Sequence, residues 1–535
     1  METIESKKFR GGYYTPEKLA NLISKWCIKK REDTILEPSA GDGKFVAAAH
    51  EIQKNLGKKD SGDTILAVEI SEKESEKISK DYAQVINDDF FTVFENELLS
   101  KKTFDVVLGN PPFIRYQSFD NNLREKAFTN MKRFGFEPNK MTNIWVPFLL
   151  LSIQLLNEDG RMGMVIPAEL LQVDYAGEIR EYLIKAFDEL LVLTFNENIF
   201  DNAQQEVVVL LGRKKSKNKG VRIIDFNSLD EVTMSVLKQR EQNAELKILK
   251  PSKNKWLKFF LSNDEIKVFE KSQKNPIFQQ ADTLMEVNVG VVTGQNKFFI
   301  LDKETIDKYN LQNSVKEIIT RAEQIKGSSI NTKILEALYD SNKKVSLFTP
   351  GEHLSESEKK YISFGEENKY HIGYKTRIRR EWYRVPVSWY PEAFFLRQVH
   401  EYPRIIVNET KATNTDTLHK IRAKNKIDIE NIALSFMNSY TLLQCELTGR
   451  SYGGGVLTFE PGEVRQLKIP YYEFDKNSKN DIKKLIDNND YEGAVTLIDS
   501  FVLSEERGFT SDDINSYRNA WFKLKNRRIE RKKKK

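Results

Sequence analysis

The chain has 535 residues, more than one hydrophobic core usually serves, so two or three domains are expected. Its 39% hydrophobic and 30% charged residues are typical of a soluble globular protein, and two distant cysteines and five scattered histidines argue against a disulfide framework and a metal site. A net charge of +6 permits nucleic acid as a partner, and the lack of a membrane-length apolar run or an apolar signal segment predicts a cytoplasmic protein without membrane contacts.

A helix is predicted near the start of the chain. Thr15 suits an N-cap, Pro16 suits the first helical position, and apolar residues then recur at helical spacing as far as Trp26. The stretch is either a capped surface helix or part of a Gly-Tyr-Tyr-Thr-Pro loop that folds over a ligand at a sheet edge. A strand, a glycine-rich turn and a helix follow within residues 34–49, where glycines let a ligand approach the backbone closely.

Acidic residues stand at the carboxyl ends of the first three predicted strands. Glu37 and Asp42 flank the first, where they disfavour a phosphate and favour a cationic ligand such as an amino-acid group. Glu69 ends the second, at the place of a ribose-hydroxyl acceptor of a nucleoside cofactor. Asp89 and Phe90 end the third, where a carboxylate could accept from an adenine amino group and a ring could cover the base. Each residue could equally be an ordinary strand end or a core aromatic.

The fourth predicted strand, Phe104–Gly109, leads into Asn110-Pro111-Pro112-Phe113. Asn110 offers an amide oxygen, and Pro111 offers a carbonyl group without an N–H. The successive prolines stiffen the loop, and Phe113 supplies a flat apolar face. This combination suits a planar group that carries –NH2, although a strand-ending Asn-Pro-Pro can also be an ordinary turn.

Three further strands are predicted at residues 160–167, 190–195 and 206–212. The loop between the last two is too short for a crossover helix, so the last strand is expected to run antiparallel to its neighbour. The pattern predicts a Rossmann-like α/β domain, with a seven-stranded doubly wound sheet that contains one reversed strand.

A basic, polar stretch at residues 213–220 is predicted to end this domain. From about residue 281 the pattern changes to short strands with glycine turns, which indicates a separate mixed α+β domain. The expected divisions are residues 1–214 for the first domain, 215–280 for a connecting region, 281–522 for the second domain, and 523–535 for a basic tail that is expected to be disordered.

Basic and aromatic residues alternate between residues 370 and 383. Cations can bind phosphates and rings can contact unstacked bases, so this stretch predicts a nucleic-acid surface. The alternative is a solvated pair of strands with cross-strand aromatic contacts. The candidate nucleic-acid-binding residues are Lys375, Arg377, Arg379, Arg380 and Trp382.

Taken in order, the motifs of the first 214 residues resemble the gamma class of adenine-N6 DNA methyltransferases, the S-adenosylmethionine-dependent enzymes of bacterial restriction–modification systems. The motifs are Gly12-Tyr13-Tyr14-Thr15-Pro16, Glu37-Pro38-Ser39-Ala40-Gly41-Asp42-Gly43, Glu69, Asp89-Phe90 and Asn110-Pro111-Pro112-Phe113. The C-terminal half is similar to the family more loosely, at residues 290–296 and 449–455. The resemblance implies a catalytic domain with S-adenosylmethionine as cofactor, followed by a target-recognition domain for double-stranded DNA. No restriction-nuclease domain is recognised in the sequence, so a separate cognate restriction endonuclease is a candidate partner, and the protein is expected to act as a monomer.

The resemblance also implies roles for single residues. Asn110 and the carbonyl of Pro111 would accept the two amino hydrogens of an adenine flipped out of duplex DNA, with Pro112 shaping the loop. Phe113 would stack on that base, and Phe200 would pack on it from a second side. Many family members carry tyrosine at the position of Phe113, so this residue departs from the common pattern. The implied cofactor-binding residues are Tyr14, Thr15, Pro16, Glu37, Ser39, Gly41, Glu69, Asp89, Phe90 and Asn110.

Two other functions fit the same motifs. Asn-Pro-Pro-Phe-like motifs also hold a glutamine side chain in protein methyltransferases, and other relatives act on RNA. A third possibility is a non-catalytic DNA-binding protein that retains the fold, which predicts a broken cofactor site. The large basic C-terminal half argues against a protein substrate, and suitable residues at every cofactor position argue against a non-catalytic protein. The sequence therefore favours methylation of DNA.

Overall fold

The computed structural model describes residues 15–59, 62–99, 103–114, 120–138, 142–197, 199–200, 206–248, 250–452 and 454–530. The chain divides into two compact units, the first comprising residues 1–263 and the second residues 264–529, with residues 452–454 and 530–535 grouped with the first. Among the helices of the described ranges, none is long and apolar enough to cross a membrane.

The first unit alternates strands and helices through most of its length. Its elements are α1 (Glu17–Cys27), β1 (Ile35–Glu37), α2 (Lys44–Asn55), β2 (Ile65–Val68), α3 (Glu72–Ser75), β3 (Gln84–Ile86), α4 (Phe90–Val93), β4 (Phe104–Gly109), α5 (Asn121–Arg133), α6 (Trp145–Gln154), β5 (Leu156–Pro167), α7 (Glu169–Gln172), α8 (Gly177–Ala186), β6 (Glu189–Phe195), β7 (Val207–Arg213), β8 (Gly220–Phe226) and α9 (Met234–Asn243). The eight strands form one sheet in the order β3–β2–β1–β4–β5–β7–β6–β8.

The sheet confirms the predicted α/β fold with one reversed strand. Strands β1 to β5 pair in parallel, whereas β7 runs antiparallel to both β5 and β6. The sheet has eight strands instead of the predicted seven, because β8 pairs in parallel with β6 along its whole length. The boundary expected at residue 214 therefore falls between two strands of one sheet, and part of the expected connecting region 215–280 belongs to the first unit.

Helix α1 packs its apolar face into the main core of the first unit. Leu19, Ile23 and Trp26 are buried there, as the helical spacing predicted. The N-cap position is occupied by Pro16, without a side-chain hydrogen bond, so the expected cap at Thr15 is wrong by one residue. The carbonyl of Pro16 accepts the first helical hydrogen bonds, and this places the helix start one residue later.

The second unit combines short strands with helices, as expected for a mixed α+β domain. Its elements, counted from the helix at the unit boundary, are α10 (Asn263–Ser272), β9 (Phe278–Gln280), α11 (Ala281–Leu284), β10 (Met285–Val289), α12 (Asn296–Phe299), β11 (Ile300–Leu301), α13 (Lys303–Tyr309), β12 (Val315–Ile319), β13 (Ser329–Ile330), α14 (Thr332–Asp340), β14 (Ser346–Phe348), α15 (Glu356–Glu367), α16 (Tyr374–Arg377), β15 (Ala393–Leu396), β16 (Gln398–Val399), β17 (Ile405–Asn408), β18 (Thr413–Asn414), β19 (Leu418–Ala423), α17 (Ile429–Phe436), α18 (Ser439–Thr448), β20 (Arg450–Tyr452), β21 (Val456–Thr458), α19 (Pro461–Gln466), β22 (Lys468–Pro470), α20 (Lys476–Asp487), α21 (Tyr491–Val502) and α22 (Ser511–Glu530).

Two sheets organise the second unit. The larger has the order β10–β19–β15–β17–β13, and the smaller has the order β11–β14–β12–β18. Each sheet lies in its own apolar cluster, one around Phe394 and Phe395 and the other around Phe298 and Phe348. The short element α16 belongs to the part of the unit that packs on the second cluster.

One alternative and one expectation about this unit are corrected. Residues 370–383 do not form a pair of strands, because they contain a 3-10 turn at Tyr370–Ile372 and then α16. The stretch 523–535 is not a disordered tail as far as it is described, because α22 continues to Glu530 and buries Leu524, Lys525 and Arg528. Residues 531–535 lie outside the described residues.

Candidate active site

The predicted site residues of four strands meet at one edge of the first sheet. Strands β3, β2, β1 and β4 are adjacent and parallel, so their carboxyl ends lie side by side. Glu37 is the last residue of β1, and Glu69 and Asn110 directly follow β2 and β4. Ligands of open α/β sheets bind at this edge, so the topology supports the predicted location of the site.

Glu69 connects the glycine-rich turn to the end of β2. Its Oε2 accepts a hydrogen bond from the backbone N–H of Gly41 at 2.7 Å, and its Oε1 accepts one from that of Ser71 at 2.8 Å. The side-chain amide of Asn87 donates to the carbonyl oxygen of Glu69 at 2.8 Å. Because charge-assisted hydrogen bonds to backbone N–H groups are strong, this carboxylate is held in one orientation.

Glu37 is a buried carboxyl group in an acidic setting. Burial, together with the nearby carboxylates of Glu69 and Asp42, raises the pKa of Glu37 well above its usual range. Its Oε2 has no hydrogen-bond partner in the described parts of the chain. A buried carboxylate is costly unless a positive charge compensates it, so this position fits a ligand with a cationic group.

Asp89 is fixed through one carboxylate oxygen. It caps α4, and its Oδ2 accepts hydrogen bonds from both the N–H and the hydroxyl of Thr92, each at 2.9 Å. No hydrogen bond to Oδ1 occurs within the described ranges, so this oxygen can accept from a ligand amino group. The neighbouring ring of Phe90 stacks on Phe148, with ring centroids 5.1 Å apart, and is 2% exposed.

The Asn-Pro-Pro-Phe motif follows β4 and is linked to the glycine-rich turn. The hydroxyl of Ser39 donates to the carbonyl oxygen of Asn110 at 3.4 Å, and Oδ1 of Asn110 is buried. A Cβ at Gly109 would lie 3.4 Å from Cδ of Pro38, at ordinary van der Waals distance, so the two loops are neighbours. The turn and the motif are therefore one connected structure.

The two aromatic residues expected to contact a target base share one apolar cluster. Phe200 is a buried member of the main core of the first unit, and the partly buried Phe113 packs against the same core. Thr15 is buried and Pro16 half-buried at the start of α1, and their expected contact with a cofactor stays a prediction. Tyr14 lies outside the described residues.

The family to which the chain belongs follows from its similarity to known proteins. A family model described as N-6 DNA Methylase matches residues 2–275. The chain belongs to the N-6 DNA methylase family. This confirms the expected kinship with adenine-N6 DNA methyltransferases of restriction–modification systems, whereas assignment to the gamma class stays a prediction. A second model, described as the C-terminal domain of Type II methyltransferase M.Eco57I, matches residues 253–503 of this N-6 methylase.

Characterised relatives align along nearly the whole of this N-6 methylase. Type II methyltransferase M.AccI of Acinetobacter calcoaceticus is 27% identical over 94% of this chain and 95% of the relative. M.XamI of Xanthomonas campestris pv. amaranthicola is 23% identical over 86% of this chain and 85% of the relative. The solved structure of the Type IIL restriction–modification enzyme MmeI in complex with DNA matches with a TM-score of 0.60 at 11% identity, over 96% of this chain and 75% of that chain, and so shares the fold.

The five candidate DNA-binding residues of this N-6 methylase fall into two groups. Lys375, Arg377 and Arg380 are exposed. Arg379 instead donates from Nη2 to the carbonyl of Val292 at 2.8 Å. Trp382 donates from Nε1 to Glu366 at 3.1 Å, and its ring lies 4.7 Å from that of Phe298. The last two residues are thus engaged in packing within the second unit.

Two residues beside the site of this N-6 methylase were not predicted from the sequence. Ile70, directly after Glu69, is 60% exposed at the carboxyl edge of the sheet, where an apolar side chain could contact a planar ligand. Phe148 stacks on Phe90 and so sets the position of its ring. Ile70 could have been predicted from the sequence, because it is an apolar residue directly after an acidic strand end. Phe148 lies within an apolar helix and had no separate signal.

Proposed function

We propose that this protein transfers a methyl group from S-adenosylmethionine to N6 of an adenine that is flipped out of a specific site in duplex DNA. The observation that carries the proposal is the position of Asn110, which follows β4 at the same sheet edge as Glu37 and Glu69. An acceptor pair for an amino group thus lies at the same sheet edge as the fixed carboxylate of Glu69 and the uncompensated carboxyl group of Glu37. Family membership supports the same chemistry.

The residues at the sheet edge fit the proposed cofactor. The buried, partnerless Oε2 of Glu37 fits the cationic methionine end, Glu69 fits the ribose hydroxyls, and Oδ1 of Asp89 fits an adenine amino group. When bound, S-adenosylmethionine supplies an activated methyl group. The three carboxyl groups would determine where the cofactor lies at the sheet edge.

Asn110 and Pro111 provide the proposed catalytic contribution. An adenine amino group is a poor nucleophile, because its lone pair is delocalised into the ring. Two fixed acceptors, Oδ1 of Asn110 and the carbonyl of Pro111, draw its hydrogens towards a geometry that frees the lone pair. Orientation and acceptors aimed at developing positive charge lower the barrier, and no covalent protein intermediate is required.

The target base must leave the duplex to reach this pocket. Flipping a base costs about a few kcal/mol of stacking and pairing free energy. Stacking on an aromatic side chain returns about 1–3 kcal/mol per contact, so Phe113 and Phe200 together could offset most of that cost.

The two units are proposed to have different functions. The first unit would carry catalysis, and the second, including the expected target-recognition region 281–522, would bind duplex DNA. The relatives are named Type II methyltransferases, and the MmeI structure is a complex with DNA, which supports DNA as the partner. We further propose a monomer that modifies the site of a separate cognate restriction endonuclease.

Modification-aware sequencing of host DNA, with and without the protein, tests this function and reports the modified base and its sequence together. N6-methyladenine at one recurring sequence, found only with the protein, is the expected result. Transfer of a tritiated methyl group to purified DNA, RNA and protein in parallel provides the comparison of substrates. Labelling of RNA or of a protein glutamine, with none in DNA, would contradict the proposal.

Cofactor binding is expected to release a proton from Glu37. The raised pKa keeps this carboxyl protonated to a higher pH than an ordinary glutamate, and a bound cation favours its ionised form. Affinity should therefore rise with pH between the ordinary and the raised pKa. Calorimetric titration in two buffers with different ionisation enthalpies measures the released proton. Glu37→Gln should remove the buffer dependence, the exposed control Glu72→Gln should keep it, and identical heats in both buffers for the unmodified protein would contradict the prediction.

Replacing Phe113 with tyrosine is expected to leave turnover nearly unchanged, because a phenol ring stacks on a base as a phenyl ring does. Phe113→Ala should reduce the stabilisation of the transition state by about 1–3 kcal/mol, the free energy of one base–aromatic contact. Methyl transfer to duplex DNA at saturating cofactor measures both variants. A collapse of activity in Phe113→Tyr would mean that the ring edge packs against the core with no room for a hydroxyl group.

A further inference from the structure

Helix α16 and the loop at residues 290–295 form a distinct surface of the second unit. We call it the α16 surface and define it by its exposed side chains: Val292, Tyr374, Lys375, Arg377, Ile378 and Arg380. Three of these residues are apolar or aromatic and three are basic. The three basic residues were among the predicted DNA-binding residues, and Tyr374 belongs to the basic and aromatic stretch from which they were predicted.

The backbone under the α16 surface is fixed by contacts between the loop, the helix and the residues after it. Arg379 lies under the surface, where it donates to the carbonyl of Val292 and lies over the ring of Phe299 at 5.5 Å. Gly294 has a positive φ of 78°, and a side chain there would come within 2.5 Å of Cβ of Lys375. The buried Thr376 has its hydroxyl 2.9 Å from the carbonyl of Gly373. The loop and the helix are thus held together, which gives the exposed side chains a defined arrangement.

The apolar side chains of the α16 surface are unusually exposed. Tyr374 is 68% exposed and Ile378 is 60% exposed, and four positions separate them, so they lie on the same side of the helical turn. Val292 is exposed on the loop that Arg379 contacts. Large apolar side chains grouped on a surface and surrounded by polar residues mark interaction sites.

Charge identifies the occupant of the α16 surface. Lys375, Arg377 and Arg380 are exposed between and beside the apolar residues. The adjacent Glu381 is engaged, because it accepts from the hydroxyl of Tyr383 at 2.6 Å and pairs with Arg384 at 2.8 Å. Exposed cations interleaved with apolar groups complement a polyanion with apolar parts, and duplex DNA has both phosphates and base edges.

We propose that the α16 surface contacts target DNA with a division of roles: Lys375, Arg377 and Arg380 bind phosphates, and Tyr374 and Ile378 contact bases. Arg379 and Trp382 position this surface from behind and do not contact DNA. The proposal rests on the proposed function only in taking duplex DNA as the partner. Because phosphate contacts carry no sequence information, the two groups of residues should have separable effects on binding.

Salt dependence of binding by the full chain tests the phosphate contacts. Affinity for a random duplex is measured at several salt concentrations. In each of the variants Lys375→Ala, Arg377→Ala and Arg380→Ala, the slope of log affinity against log salt should become less negative by about 0.9. The exposed Lys333 of α14, which is anchored in the other apolar cluster, provides a matched control whose alanine variant should keep the original slope. Unchanged slopes in all three variants would overturn this part of the proposal.

Sequence preference tests the base contacts. A preferred duplex is selected from a random pool by binding, which needs no methyl transfer. Tyr374→Ala and Ile378→Ala should each reduce affinity for that duplex by roughly tenfold, with affinity for random DNA and the salt slope unchanged. Ile334→Ala on α14 is the control. An equal loss on both duplexes, or none, would overturn the base contacts. If the variants gave these binding results but the wild-type protein methylated no DNA, the proposed function would be contradicted. The proposed role of the α16 surface would still be supported.

Discussion

Replacing Asn110 with alanine is expected to lower the rate of methyl transfer by at least about 10²–10³-fold, the usual effect of removing one fixed hydrogen-bonding group that acts on the transition state. The side chain of Asn110 supplies one of the two proposed acceptors for the target amino group, and alanine cannot accept a hydrogen bond. Cofactor affinity should change little, because the fixed carboxylates Glu69 and Asp89 follow β2 and β3, which do not pair with β4. Tritium transfer to duplex DNA measures the rate, and a thermal shift with S-adenosylhomocysteine measures cofactor binding.

The matched control for this variant is Asn218→Ala. Asn218 is exposed in the loop between β7 and β8, at the opposite edge of the sheet from the site, and its replacement should leave turnover unchanged. Turnover like that of the wild type by Asn110→Ala would exclude the proposed acceptor pair. Loss of both turnover and cofactor binding would instead show that the side chain mainly supports the structure of the cofactor site, since the hydrogen bond from Ser39 goes to the backbone carbonyl of Asn110 and survives the substitution.

The sequence predicted the sheet edge of the site well, because strong local signals coincide there. Short apolar runs such as Phe104–Gly109 predict a strand, and an acid or amide directly after each run marks its carboxyl end. The order of parallel strands then brings these ends together without further information. Hence Glu37, Glu69 and Asn110 could be placed at one edge before any contact was known.

The eighth strand could not be recognised in the same way. Strand β8 begins at Gly220, directly after a lysine-rich loop that has the composition of a domain boundary. Its burial alternates only in part, because it lies at the edge of the sheet. What makes it part of the first unit is pairing with β6, a tertiary contact that composition does not report.

The sequence also could not predict which of the neighbouring basic residues are exposed and which are packed. Arg377 and Arg379 have the same chemistry and stand two positions apart, yet one is exposed and the other contacts Val292, 87 residues away. Burial lowers the pKa of the Arg379 guanidinium, in keeping with a side chain that packs within the unit. Sequence alone could identify a basic aromatic segment, whereas its division into exposed and packed residues depends on the partner loop.

The C-terminal stretch shows the same limit most clearly. Its many lysines and arginines suggested a solvated tail. In the structure Arg528 forms a bidentate pair with Glu446, at 2.9 and 2.6 Å, and also donates to the carbonyl of His400 at 2.7 Å. Both charged side chains are almost fully buried, with 4% and 3% of their surface exposed. A partner 82 residues away thus holds a charged residue of this segment inside the unit.

Replacing Arg528 with alanine is therefore expected to destabilise the second unit by about 3–5 kcal/mol, since it leaves the buried charge of Glu446 without a partner. The carbonyls of His400 and Gly455 would lose their donor as well. Hydrogen exchange of the full chain, followed by mass spectrometry, should show lost protection in peptides of α22 and around Glu446. Arg528→Lys should keep only part of the protection, because an ammonium group compensates the charge of Glu446 but cannot form the bidentate pair.

Lys523→Ala is the control for this prediction, because it removes a cation from the same helix at an exposed position. Its 3.8 Å contact with Glu265 is a surface ion pair, worth about 0–1 kcal/mol, so protection of α22 should stay unchanged. Adding Glu446→Met to Arg528→Ala removes the uncompensated charge and should recover part of the lost protection. If Arg528→Ala and Lys523→Ala behaved alike, the C-terminal helix would be held by its apolar face alone. The buried pair would then be neutral for stability, in contrast to what its burial and geometry imply.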